Sequence, residues 1–143
     1  MEEKLKIKVV LDEGGIMPTK AYSDDAGFDI YSPIDTYIAP MGSVVVDTKV
    51  RCLIPKGYCG LLTSKSGLYI KSDLTGRGLV DASYQGTIKV KLVNHGDKLH
   101  SFNKGDKLIQ MMILPVPEVE MVEVDSFENV TERGEAGIGS SGR

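Results

Sequence analysis

The sequence predicts an all-β domain, a barrel or sandwich of short strands, and three observations carry that expectation. Apolar residues recur with a period of two, turn signals separate the runs, and no stretch of a dozen residues has a convincing 3.6-residue period. In chain order, LKIKVVL (Leu5 to Leu11) alternates apolar residues with Lys and reads as a half-buried strand. SVVVDTKVRCLIP (Ser43 to Pro55) and YCGLLTS (Tyr58 to Ser64) are β-like runs rich in Val, Ile and Leu. TIKVKLV (Thr87 to Val93) repeats the Lys alternation, and KLIQMMILPV (Lys107 to Val116) is a longer apolar run. VEMVEV (Val119 to Val124) is the last β-like run, although Val119 to Phe127 also accommodates a helical reading. EGG, APMG, IPKG, NHGD and NKGD fall between these runs as turn signals.

At 143 residues the chain reads as one domain with enough core to fold without staples. No apolar run approaches a membrane span, and MEEKLKIKVV has no apolar segment of the signal-peptide kind. Cys52 and Cys59 fit neither a metal pattern nor a disulfide framework, so reduced thiols in a cytoplasmic protein are expected. A net charge of -3 offers no basic footprint for a nucleic acid polymer, while leaving room for a local cationic cluster and a small anionic ligand.

Three segments interrupt the alternation with small and polar residues: SDDAGFDIYSP, TSKSGLYIKSDLTGRGLVDASYQG and the terminal RGEAGIGSSGR. Chemistry is commonly carried in such places. His95 and His100 are the only histidines and read as ordinary surface residues, which disfavours a His-based zinc site and a Ser-His-Asp triad. GLLTSKSG lacks the second Gly that a P-loop needs before Lys-Ser. What remains has phosphate-binding composition. SKSG offers a cation, hydroxyls and a Gly N–H; GDKLIQ offers a turn, a cation and an amide; the tail offers Arg133, serines and bare backbone donors. The acidic turn GLVDASYQG stands among them, and a carboxylate beside phosphate ligands suits the activation of a water.

DAGFD (Asp25 to Asp29), SKSGL (Ser64 to Leu68), GLVDASYQG (Gly78 to Gly86), GDKLIQMMI (Gly105 to Ile113) and RGEAGIGSSG (Arg133 to Gly142) together resemble the five ordered motifs of the trimeric dUTPases. The resemblance implies a distorted jelly-roll-like β-barrel over residues 1–130 and a flexible Gly-rich lid over 131–143, closing on a neighbouring subunit's site. It implies hydrolysis of dUTP to dUMP and pyrophosphate, which limits uracil incorporation into DNA and supplies dUMP for thymidylate synthesis. Asp81 would activate the water attacking the α-phosphorus, and Tyr84 would lie under the deoxyribose and exclude a 2′-hydroxyl. A hairpin from about Thr75 to Lys89, with Gly78, Leu79 and Val80, would hold uracil through main-chain groups, giving a role to the glycines at 76, 78 and 86. Lys65, Ser66, Gly67 and Gln110 would bind phosphate oxygens. Arg133, Ile138, Gly139 and Ser140 would act from the lid. Asp29 would touch Mg2+ only through water. The implied partners are dUTP and two further copies in a homotrimer with shared sites, with no nucleic acid polymer and no membrane.

Three positions depart from the family pattern: Lys65 and Lys107 stand where Arg is usual, and Ile138 where Phe is usual. Lys keeps charge but loses the bidentate fork, and Ile covers a base without a π-face. The related dCTP deaminases carry a catalytic Glu where this chain has Lys91, which disfavours deamination. A regulatory module acting on protein partners through the same surface is the reading from a different class.

Overall fold

In the computed structural model the described residues are 3–142; Met1 and Glu2 of the charged N-terminal segment and Arg143 of the expected lid lie outside them. Among these residues the order is β1 (Lys8–Leu11), β2 (Phe28–Tyr31), β3 (Thr36–Ile38), β4 (Ser43–Asp47), β5 (Val50–Leu53), β6 (Tyr58–Thr63), α1 (Ser66–Ser72), β7 (Leu74–Val80), β8 (Lys89–Asn94), β9 (His100–Phe102) and β10 (Lys107–Pro115). The expected β class holds. Six strands form one curled sheet in the order β2-β10-β6-β7-β8-β4, and β1 pairs β5 while β3 pairs β9. All pairings are antiparallel.

The period-two pattern explains which side chains go inside. In β8, KVKLVN, Val90, Leu92 and Asn94 are buried while Lys89 and Lys91 face out. In β10 Leu108 and Ile109 are consecutive and both buried, and the register against β2 shifts between Lys107 and Ile109. That bulge is how two adjacent apolar residues share one face. Ile30, Val50, Leu74, Leu92, Leu108 and Ile109 form the centre of the core. Full burial of each stabilises by about 1.5–3 kcal/mol before chain entropy is counted. Cys52 is buried within it, and that burial pushes its thiol pKa up.

Several elements differ from the sequence expectation. β2 and β7 lie within segments read as interruptions of the alternation, β3 and β9 lie in no predicted run, and the single run Ser43 to Pro55 divides into β4 and β5. Only Lys8–Leu11 of Leu5 to Leu11 is strand, on a short edge where Val10 and Leu11 stay exposed. VEMVEV forms no strand: residues 116–142 carry no regular element and are exposed. Its alternation is β-like, but nothing in this chain pairs with it. Helix α1 was invisible to periodicity because it has seven residues and buries none of them. It ends at Asp73, whose left-handed backbone (φ 54°) turns the chain into β7 and whose N–H donates to the Leu68 carbonyl. Among the described residues no helix is long and apolar enough to cross a membrane.

Two buried polar side chains fix the loops at opposite ends of the sheet. The Thr48 hydroxyl donates to the Ile88 carbonyl at 2.7 Å, and the Thr48 and Val50 backbones bond Ile88 as well. Asn94 donates to the Ile38 and Lys98 carbonyls at 3.0 and 2.8 Å and accepts from the Gly96 N–H at 2.9 Å. Asn94→Ala removes all three bonds, so a loss of about 3 kcal/mol is expected at about 1 kcal/mol per bond. Urea unfolding should show a lower midpoint at unchanged slope; an unshifted midpoint would show that loop 94–98 holds itself.

Candidate functional site

The residues singled out from sequence fall into three groups. The first surrounds the crossing of β6, β7 and β10. Ser64 accepts from the Gly76 N–H at 2.9 Å and donates to its carbonyl at 3.2 Å, locking the end of β6 to β7. The Gln110 amide donates to the Ser64 carbonyl at 3.0 Å. Lys65 pairs with Asp29, and Lys107 reaches the other oxygen of the same carboxylate at 3.3 Å. Gly27 is needed here for space, since a Cβ would lie 2.9 Å from the Gln110 side-chain oxygen. Ser66, Thr75 and Gln110 line one open cavity of 680 Å³, and Gly67, next in α1, has open space where a Cβ would stand.

The second group is the loop joining β7 to β8. The Tyr84 N–H donates to the Asp81 carbonyl at 3.1 Å, so the two residues close one turn. Gly78, Leu79, Val80, Asp81, Tyr84 and Lys89 line a second cavity of 230 Å³. The Tyr84 hydroxyl donates to the Thr87 carbonyl at 2.7 Å and lies across Gly86, where a Cβ would sit 2.5 Å from it. Gly86 is therefore required by the tyrosine ring. Gly76 is required by the core, since a Cβ there would meet Leu92 at 2.9 Å and Ile109 at 3.0 Å. Of the three, Gly78 is the least crowded: a Cβ there would meet only the Leu62 side chain, at 3.4 Å.

The third group, Arg133, Ile138, Gly139 and Ser140, is exposed and apart from both cavities. Arg133 donates to the Ala136 carbonyl at 2.8 Å, and the Ser140 N–H to the Gly137 carbonyl at 3.0 Å, so the segment folds on itself in local turns.

The first two groups sit at opposite ends of β7. Thr63 pairs with Arg77 near the first, and Gly60 pairs with Val80 near the second. Four residues from Arg77 to Asp81 span about 13 Å at about 3.3 Å each. A hydrogen bond reaches about 3 Å. One chain therefore does not bring Asp81 together with Ser66 and Gln110.

A metal held by protein ligands does not fit. Among the described residues no three His, Cys, Asp or Glu side chains gather into a possible site. Asp29, whose side chain is 6% exposed, has each oxygen engaged by a lysine ammonium.

Sequence reasoning missed two contributors. Arg51 forks onto Asp12 with two bonds of 2.9 Å and donates to the Gln85 carbonyl at 3.1 Å, bracing the Asp81 loop from β5. Its guanidinium hydrogen bonds hold the Asp12 carboxyl below the ordinary carboxylate value. His95, read as an ordinary surface residue, bonds the Thr75 hydroxyl at 2.7 Å beside the first cavity. His95 is exposed as expected, whereas His100 is half-buried edge-on to Phe102, and burial lowers its pKa. No sequence signal marked these partners, because each acts across 20 or more positions.

Arg51→Gln should loosen the loop without unfolding the sheet. Amide exchange at Tyr84 should accelerate several-fold while Val90 and Leu92 keep their protection. Lys at position 51 should not restore it, lacking the fork. Because the Asp12 pKa is depressed on folding, the brace is complete above the unfolded value near 3.8 and is lost as pH falls through the folded value. Protection unchanged in Arg51→Gln would remove the brace.

A sequence profile described as dUTPase matches residues 13–142. The chain is 39% identical over 140 residues to the deoxyuridine 5'-triphosphate nucleotidohydrolase of Candida glabrata, covering 96% of each. It is 40% identical over 143 residues to that of Mycobacterium leprae, covering 94% of this chain and 92% of the relative. Among solved structures, a Staphylococcus bacteriophage 80alpha dUTPase with dUpNHpp superposes with TM-score 0.91 at 31% identity, covering 98% of this chain and 100% of that one. A dUTPase variant from phage phi11 of S. aureus, described for its coordination of a structural Mg(II) ion, superposes with TM-score 0.80 at 30% identity over 87% of this chain and 100% of that one.

Proposed function

The chain belongs to the dUTPase family and hydrolyses dUTP, and we propose that Asp81 activates the attacking water in a site completed by neighbouring copies. Water attacks the α-phosphorus as its proton passes to the Asp81 carboxylate. The bond from the α-phosphorus to the bridging oxygen breaks, and pyrophosphate leaves from dUMP. Asp81 is exposed on a turn braced from below by Thr48 and Arg51, which supports a carboxylate that is held in position and hydrated. Tyr84 closes the same turn and lies beside it as the group that would exclude a 2′-hydroxyl.

The observation that carries the reading is the separation of the two clusters along β7. Asp81 supplies the water-activating end, and Lys65, Ser66, Gly67 and Gln110 the phosphate-binding end. With about 13 Å between them in one chain, the Asp81 turn of one copy meets the Ser66 segment of another. A homotrimer with shared sites meets that requirement. It is further supported by unburied apolar residues after β10: Met121, Phe127 and Val130 are 92%, 89% and 93% exposed. Side chains of that size find cover in an assembly. Mg2+ is read as the companion of the triphosphate, held by its phosphates, and no step is routed through it. Residues 131–143 are read as the lid, with Arg133, Gly139 and Ser140 facing phosphate and Ile138 covering the base.

Asp81→Asn keeps the size of the side chain but cannot take the proton. Turnover should fall on the order of 10²–10⁴, while calorimetric binding of a non-hydrolysable dUTP analogue should persist or tighten. Mixing Asp81→Asn subunits with Gln110→Ala subunits should recover activity above either alone, because some shared sites then receive both intact groups. Near-normal turnover would remove Asp81 from the mechanism, and no recovery in proven mixed assemblies would place each site within one chain.

Deleting residues 133–143 should leave thermal unfolding unchanged, since residues 133–142 are all exposed, and should lower kcat/KM for dUTP steeply. Unaltered kinetics would return the segment to a passive tail.

A further inference from the structure

We propose that Arg77 and Lys91 form a second phosphate-binding subsite, which takes the pyrophosphate end of the bound triphosphate. The inference rests on the reading of the first cavity as the phosphate end of the dUTP site. Both side chains line that cavity together with Ser66, Tyr69 and Gln110. They reach it from separate strands. Gln110 pairs with Thr63, Thr63 pairs with Arg77, and Lys91 lies on β8 opposite Val45 of β4. The β7–β8 ladder ends at Gly76 and Leu92, one residue before Arg77 and Lys91 would face each other. Two cations side by side across strands repel and are stabilised only by an anion.

No such anion comes from the described residues. Neither Arg77 nor Lys91 makes a side-chain hydrogen bond or an ion pair among them, although both are exposed to the cavity. Asp47, the acid on the same stretch of β4, stands opposite Lys89 and pairs with Lys49 at 3.7 Å. Asp29, at the far end of the row beyond Gln110, is already shared by Lys65 and Lys107. Arg77 and Lys91 thus stand as two cations in a cavity lined by no carboxylate, within a chain of net charge -3. The hydroxyls of Ser66 and Tyr69 face the same space without a protein partner among the described residues, adding neutral donors. Neighbouring strands are about 4.8 Å apart, and Arg77 lies two strands and Lys91 three strands from Gln110. An elongated polyphosphate can follow that row, and a single phosphate cannot span it.

The test uses the full chain and inorganic pyrophosphate as the probe. Calorimetry should show pyrophosphate binding to the unaltered protein. Arg77→Gln and Lys91→Gln should each weaken it about tenfold, the loss expected for a hydrogen bond to a charged group. For dUTP, KM should rise in both variants with kcat largely held. Arg77→Lys and Lys91→Arg, which keep the charges, should stay within a few-fold of the original. Equal pyrophosphate affinity in the folded double Gln variant would overturn the subsite while leaving dUTP hydrolysis intact. Absence of dUTP hydrolysis in the unaltered protein would instead overturn the functional reading, and the pyrophosphate titration would still decide the subsite by its dependence on Arg77 and Lys91.

Discussion

The buried carboxylate of Asp29 is the constraint around which the junction of β2, β10 and the segment before α1 is built. Removing an ion from water costs several kcal/mol unless it is paired and hydrogen-bonded. Here one lysine answers each oxygen, Lys65 from the segment before α1 and Lys107 from the start of β10. Satisfying one charge therefore ties β2, β10 and the β6–α1 junction to a single point. Once Lys65 is held there, Ser66 and Gly67 begin α1 at a fixed place. Gln110 holds the preceding carbonyl, and Ser64 locks the same junction to Gly76. Lysine does with two point charges what a forked guanidinium would do with one residue.

The other end of the site is built differently, from backbone bonds and sterics. Ile88 is held by the backbones of Thr48 and Val50 and by the Thr48 hydroxyl, Gln85 is held by Arg51, and Tyr84 is packed over Gly86. These contacts leave the Asp81 carboxylate exposed on a rigid base. The two ends share β7 as a ruler, and its extended backbone keeps them apart.

Much of the fold was legible because the alternating runs are honest reporters of burial. Val90 and Leu92 in β8 lie where the period of two put them, and β4 to β6 fall within the runs rich in Val, Ile and Leu. The failures have physical causes. Helix α1 buries nothing, so it left no apolar stripe to read. VEMVEV has strand composition without a strand partner in this chain. The glycines at 76 and 86 were read as ligand-facing, but Leu92 with Ile109 and the Tyr84 ring are what exclude a side chain there.

The order of the polar motifs was sufficient to identify the family, because five co-linear segments of unusual composition rarely arise together. Sequence alone also indicated the alternating faces of β8 and the chemistry available at each motif, since side-chain type and alternation are local properties. The partners that make the motifs work were decided only by the tertiary structure. Asp29 meets Lys65 and Lys107, Arg51 meets Asp12 and Gln85, and Thr75 meets His95 across long stretches of chain. Those pairings depend on strand order and register, β10 lying between β2 and β6 and β7 between β6 and β8. Register is set by how the whole core packs, and no local stretch of residues contains that information.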